Sequence, residues 1–138
     1  MSGREPPYTL ELLRLAASLP LVSELEGADG VGEARSQACG STLRTSVRLA
    51  DGRIVELAQK VTACAFGQAS AALVQGWAVG RSGVEVVAMK RRLAAWLSGR
   101  GEVPRGFEAL GPVQGRSGRH GAVLLPFDAL LAALKEKG

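Results

Sequence analysis

The chain has 138 residues, of which 46% are hydrophobic and 22% are charged, and its formal net charge is +4. These values exclude a disordered chain, which would combine low hydrophobicity with high charge, and we expect a single domain over residues 1–138. The basic residues are scattered and only 4% of the residues are aromatic. No nucleic-acid surface is therefore predicted, and a basic surface that attracts acidic partners is the simpler interpretation.

The amino-terminal segment predicts a helix and no targeting sequence. Apolar residues three or four positions apart indicate a helix from Thr9 to Leu19, and Pro20 marks its end. Glu11 and Arg14 interrupt the apolar residues, which argues against a signal peptide. No segment reaches the roughly 20 apolar residues of a membrane helix. We therefore expect a soluble, cytoplasmic protein with no membrane contact.

An antiparallel meander is predicted next. From Thr42 to Leu49, residues suited to a buried face alternate with arginine and serine, which is typical of a strand with one accessible face. Asp51-Gly52 is a strong hairpin signal, and the β-prone run from Arg53 to Val61 follows it. A further strand is expected from Glu33 to Ala38.

The second half of the chain predicts helices joined by one long connection. Helical spacing begins at Gln68 and ends near Gly80, and another helix is expected from Val84 to Leu97. Residues 98–118 predict an irregular connection with a helical turn. The last helix is expected to begin at Pro126 and to end at Lys135, because proline is favoured in a first helical turn. The predicted fold class is α+β, a small antiparallel sheet of about three strands packed by helices, with one helix first and helices last.

Three residues carry the ligand atoms that soft or borderline metals prefer: Cys39, Cys64 and the only histidine, His120. Each lies at a predicted element boundary, and a meander followed by a helix can bring both cysteines to one end of the sheet. In a reducing compartment they are expected as thiols rather than as a disulfide. Cys64 precedes a helix, whose positive end favours a thiolate. The alternatives are a small buried hydrophobic role for either cysteine and a surface or capping role for the histidine.

Four motifs follow one another in a fixed order. The first two are Ala38-Cys39-Gly40 before a strand and Asp51-Gly52-Arg53-Ile54 at the hairpin. The others are Cys64 with the downstream Ala69, Ser70 and Leu73, and a V-x-x-W-x-x-G-K/R-S pattern formed by Val74, Trp77, Gly80, Arg81 and Ser82. This series resembles the IscU and NifU type of iron-sulfur cluster assembly scaffold, including its SufU branch.

The resemblance implies an IscU/SufE-like fold and a protein that is a scaffold or carrier, not an enzyme. Cys39 and Cys64 would bind iron, zinc or a 2Fe-2S cluster, a cysteine desulfurase would supply sulfur, and apo-proteins would receive the product. Two positions depart from the family pattern. Gly121 stands where the family has its third cysteine, and Ser41, expected here to be a cap or turn residue, replaces an aspartate.

The number of ligands leaves two arrangements open. A 2Fe-2S cluster normally takes four protein ligands, and zinc takes four with water allowed, whereas one chain offers at most Cys39, Cys64 and His120. Either a homodimer surrounds a shared cluster with four thiolates, or one chain holds zinc through these three residues and a water. Two alternative functions also remain: a degenerate family member acting as a sulfur-relay or regulatory partner of a desulfurase, and an interaction module without metal.

Overall fold

The computed structural model describes residues 8–37 and 40–137, with side chains to residue 135. The elements are α1 (Leu10–Ala16), β1 (Gly30–Arg35), β2 (Thr42–Ala50), β3 (Arg53–Thr62), α2 (Ala65–Trp77), α3 (Gly83–Leu97), two 3₁₀ helices (Glu108–Val113 and Ser117–Arg119) and α4 (His120–Lys137). The strands form one antiparallel sheet in the order β1-β2-β3. The expected α+β fold is confirmed. Within the described residues, no helix combines the length and the apolar character needed to cross a membrane.

The sheet turns one face toward the helices. Along β2, Leu43, Thr45 and Val47 alternate onto this inner face, and all three are buried. The alternation predicted for β2 is therefore confirmed. Asp51 and Gly52 close the β2–β3 hairpin with φ angles of 54° and 76°, the positive values that a type I′ turn requires.

The hydrophobic core lies between the inner face and the helices. Phe66, Phe107 and Phe127 are its largest fully buried side chains. Trp77, at the end of α2, places its ring 6.3 Å from that of Phe107 and 6.1 Å from that of Phe127. These aromatic contacts join α2 and α4 to the connection that precedes α4.

Helix α4 lies directly on β1 because two strand positions have no side chain. A Cβ atom at Gly30 or Gly32 would overlap the backbone of Ala133. This close packing explains why β1 includes the two glycines. The strand covers Gly30–Arg35 rather than the predicted Glu33–Ala38. Ala38 lies outside the described residues. Glycine has low strand propensity, so local sequence pattern missed the start of this strand.

The predicted start of the last helix is wrong. Pro126 lies inside α4, which already begins at His120. Proline removes one helical hydrogen bond, here the one to the carbonyl of Ala122. The carbonyl of Ala122 lies close to α2: a Cβ atom added to Gly67 would be 3.4 Å from the carbonyl oxygen. Tertiary packing therefore keeps the segment before the proline helical.

The other helices agree with prediction except near their ends. Helix α2 begins at Ala65 rather than Gln68, and α1 ends at Ala16 rather than Leu19. The predicted irregular connection after α3 contains the two 3₁₀ helices. Thr9 caps α1 by accepting a hydrogen bond from the backbone N–H of Leu12 at 3.1 Å, which fixes the start of that helix.

The W-x-x-G-R-S motif forms the connection between α2 and α3. Gly80 has a φ of 90°, a conformation that glycine adopts without strain. The guanidinium of Arg81 lies 4.9 Å from the centre of the Trp77 ring. Ser82 and Glu85 form a reciprocal capping box at the start of α3. The motif therefore has a structural role, because it turns the chain between two helices.

The capping box makes stability depend on pH. The backbone N–H of Ser82 donates to the carboxylate of Glu85, and together with Arg81 and Arg53 it holds the pKa of Glu85 below the ordinary value of 4.5. A carboxyl whose pKa is lowered by folding stabilises the protein above its unfolded pKa, and this contribution is lost as pH falls through the folded pKa.

Glu85→Gln should therefore lower the melting temperature at neutral pH and have a smaller effect in acid. Glutamine keeps the acceptor oxygen for the capping box but removes the charge. Thermal unfolding of both proteins from about pH 7 to about pH 3 measures the difference. The difference in melting temperature between the two proteins should narrow below about pH 4.5. A difference in melting temperature that stays constant over the whole pH range would contradict this explanation.

Candidate metal centre

Three segments meet at one end of the sheet: the β1–β2 loop, the start of α2 and the start of α4. The loop approaches α4 where a Cβ at Gly121 would lie 3.0 Å from the hydroxyl of Ser36. Helix α2 approaches α4 where a Cβ at Gly67 would lie 3.5 Å from that of Ala122. Of the positions that the sequence singled out, 64 and 120 belong to these segments.

The β1–β2 loop is closed at its base by backbone hydrogen bonds. The N–H of Ser36 donates to the carbonyl of Ser41 at 2.9 Å, and the N–H of Gly40 donates to the carbonyl of Ser36 at 2.8 Å. Both serines are buried. Ala38 and Cys39 lie outside the described residues, so the pairing of Cys39 with Cys64 stays a prediction.

Cys64 is the N-cap residue of α2. Its backbone is extended, with φ −67° and ψ 174°, and its carbonyl accepts from the N–H of Gln68 at 2.9 Å. Its thiol makes no capping hydrogen bond and is partly exposed. A sulfur at the first turn of this 13-residue helix lies at the positive end of the helix dipole. The position makes this sulfur a candidate for binding metal or for accepting sulfur.

His120 is held by the backbone of the preceding connection. Its Nε2 lies 3.1 Å from the carbonyl oxygen of Val113 and 2.8 Å from that of Gln114. Both partners are acceptors, so Nε2 carries a proton, and in the neutral imidazole the lone pair is on Nδ1. Metal-bound histidines commonly donate their other ring N–H to a backbone carbonyl. The contact gives His120 a capping role at the end of the first 3₁₀ helix.

The described part of the chain contains no group of three His, Cys, Asp or Glu side chains arranged to hold one metal ion. A complete centre therefore requires either Cys39 or a second chain. Four cations belong to the segments around this end and make no ion pair with any described residue: Arg35, Lys60, Arg116 and Arg119.

Two residues of α2 fix its distance from α4. Position 67 has no room for a side chain, because a Cβ atom there would lie 2.7 Å from the Cβ atom of Ala63. The fully buried Ser70 donates its hydroxyl proton to the carbonyl of Val123 at 2.6 Å. Ser70 belongs to the motif series, whereas Gly67 lies among helix-forming residues and gave no signal of its role.

The geometry defines a class of small α+β proteins in which a partly buried cysteine caps the helix that follows a three-stranded antiparallel sheet. Within this class, residues 21–114 match the model of the NifU-like N terminal domain, and the chain belongs to this family. The matched segment includes Cys39 and Cys64 and ends before His120 and Gly121.

Solved structures show the same fold. The N-terminal NifU-like protein of Brucella abortus is 27% identical, with 94% of this chain and 92% of that chain covered and a TM-score of 0.87. A putative iron-sulfur cluster assembly scaffold protein for the SUF system from Fervidobacterium islandicum AW-1 is 23% identical, with 93% and 96% covered and a TM-score of 0.77. A comparison with curated proteins gave no match.

The hydrogen bond between α2 and α4 can be tested by Ser70→Ala. We expect a loss of about 0.5 to 1.5 kcal/mol in the free energy of unfolding, because one buried hydrogen bond is removed. Ser98→Ala is the matched control: its hydroxyl donates to the carbonyl of Ala94 at 3.1 Å on the exposed surface. Urea unfolding of both variants should show the larger loss for Ser70, and equal losses would contradict its role.

Proposed function

We propose that this protein is a scaffold or carrier in iron-sulfur cluster assembly and has no enzymatic activity of its own. The single observation that carries the proposal is the partly exposed Cys64 at the start of α2, beside the loop of Cys39, in a member of the NifU-like N-terminal family. The cargo is iron, zinc or a 2Fe-2S cluster held by these two cysteines.

The ligand set is completed in one of two ways. A 2Fe-2S cluster takes four ligands, which Cys39 and Cys64 from two copies of the chain would supply in a homodimer. Zinc accepts three protein ligands and a water, which Cys39, Cys64 and Nδ1 of His120 would provide in one chain. The hydrogen bonds from Nε2 to two carbonyls support the second arrangement, because they orient the imidazole and fix its tautomer.

The proposed partners follow from the chemistry of assembly. A scaffold needs a source of sulfur, which a cysteine desulfurase provides, and apo-proteins that receive the finished cluster. Both cysteines must be reduced to bind metal, which agrees with a cytoplasmic location. We infer that residues 1–138 act as one functional domain, since the candidate centre combines segments from both halves of the chain.

Anaerobic reconstitution with iron and sulfide tests the scaffold function. The unchanged protein should gain visible absorption from a bound cluster, and Cys39→Ser or Cys64→Ser should lose most of it, because each removes a ligand. His120→Gln identifies the arrangement: it should weaken zinc binding and leave a cluster held by four cysteines intact. A protein that gains no absorption, or keeps it in Cys64→Ser, would show that this function is wrong.

A sulfur-relay partner of a desulfurase is the second candidate. The observation that favours it is Gly121, which presents no ligand atom at the start of α4. In a relay, the Cys64 thiolate attacks the terminal sulfur of the desulfurase persulfide, the S–S bond breaks, and the desulfurase cysteine leaves as a thiolate.

Thiol trapping and mass measurement after incubation with desulfurase and cysteine distinguish the two candidates. A relay protein should carry one additional sulfur on Cys39 or Cys64 without any iron present. Cys64→Ser, compared with Cys39→Ser, shows which thiol accepts the sulfur. An unmodified protein after complete turnover of cysteine would exclude the relay.

A further inference from the structure

The outer face of the sheet, turned away from α2 and α4, forms a second surface next to the candidate centre. At the end nearest that centre, two residues of each strand face outward. We call these six residues the outer patch: Glu33, Arg35, Thr42, Arg44, Lys60 and Thr62. The register places Arg35 opposite Thr42 and Thr42 opposite Thr62, and residues directly opposite one another share a face. The six residues line an open depression of about 390 Å³.

The outer patch has a net positive charge, because its three cations outnumber Glu33 and the bordering Glu24. Arg44 forms an ion pair with Glu33 at 2.6 Å and a longer one with Glu24 at 3.5 Å. Arg35 and Lys60 are exposed and have no ion pair with any residue the structure describes. Two unpaired cations therefore flank the depression, one on each edge strand.

The rest of this face differs from the outer patch. Farther along β2, Arg48 forms an ion pair with Glu56 at 3.0 Å and donates to the carbonyls of Glu26 and Gly27. The backbone N–H of Leu25 donates to the hydroxyl of Ser46 at 3.0 Å. The segment before β1 thus covers that end of the face and satisfies its charge. Among the described residues of this face, Arg35 and Lys60, at the end nearer Cys64, have no ion pair.

We propose that the outer patch is the docking surface for an acidic, extended segment of a partner protein. The depression crosses all three strands, which suits a polypeptide better than a small enclosed ligand. Arg35 and Lys60 would pair with carboxylates, and the hydroxyls of Thr42 and Thr62 would donate hydrogen bonds. The purpose of this docking surface, which rests on the proposed function, is to hold a sulfur donor or a cluster acceptor beside Cys64.

The position of Thr62 explains the benefit of docking here. It ends β3 two residues before Cys64, so a segment bound across the outer patch places its own protein at the thiol. Farther along this face Arg48 and Glu56 pair with each other, so the attraction of an acidic segment is directed to the outer patch. Attraction of this kind raises the rate of encounter and weakens as salt is added.

Fluorescence anisotropy with a fluorescein-labelled octaglutamate peptide tests the proposal on the metal-free protein. The unchanged protein should bind at low ionic strength, and Arg35→Glu with Lys60→Glu should weaken binding by at least about tenfold. The matched control is Arg91→Glu with Arg92→Glu, which makes the same change in net charge at two exposed residues of α3. We expect this control to weaken binding by less than about threefold. Thermal unfolding confirms that both variants fold.

Three results would overturn the proposal: no binding by the unchanged protein, equal weakening in the two double variants, or displacement of the peptide by inorganic phosphate but not by chloride at equal ionic strength. The second indicates unspecific attraction to net charge, and the third indicates a small-anion site. Because the peptide assay contains no metal, its outcome is separate from cluster reconstitution. A protein that binds the peptide but no cluster would refute the proposed scaffold function and leave the docking surface standing.

Discussion

The close contact between α4 and β1 is the constraint on which the candidate centre depends. Gly30 and Gly32 allow the backbone of Ala133 to lie against the strand. A larger residue at either position would lift α4 from the sheet and move its start away from the β1–β2 loop. The packing of α4 on β1 does not involve Cys64 itself, but it determines where the segment of His120 and Gly121 lies.

A second set of contacts fixes α2 relative to the same helix. The hydroxyl of Ser70 bonds to the carbonyl of Val123, and Gly67 lies against Ala122. Both contacts come from the first turns of α2, immediately after Cys64. Backbone atoms and short side chains thus form the framework of the centre, since they hold three chain segments together with little freedom to move. Cys64 lies at the start of this framework, as the N-cap residue of α2.

Much of the fold could be predicted from the sequence because its signals are local. The alternation along β2, the Asp51-Gly52 turn and the helical spacing before Trp77 depend on neighbouring residues, and the structure has each of them. The start of β1 and the start of α4 depend instead on residues that are distant in the chain. Glycines that look like a loop become a strand because a helix covers them, and Pro126 is accepted inside that helix because its first turns pack on α2.

The candidate site was predictable in part for the same reason. Cys64 stands before a helix in the sequence and in the structure, so its position needed only local pattern. The contact of Ser36 with Gly121 joins residues far apart in the chain, and nothing near either residue indicates it. The carbonyl partners of His120 belong to a 3₁₀ helix and its C-cap, whose backbone path the sequence does not specify.

Pro126 divides α4 into two parts with different attachments. Toward the carboxyl end, Leu130 and Ala133 are fully buried in the core. Toward the amino end, the helical ladder lacks the bond to Ala122, so the first turns are held mainly by their neighbours. At that end Ala122 and Val123 are also fully buried, and the carbonyl of Val123 accepts a hydrogen bond from the hydroxyl of Ser70. The start of α4 therefore takes its position from its contacts with α2 rather than from the remainder of its own helix.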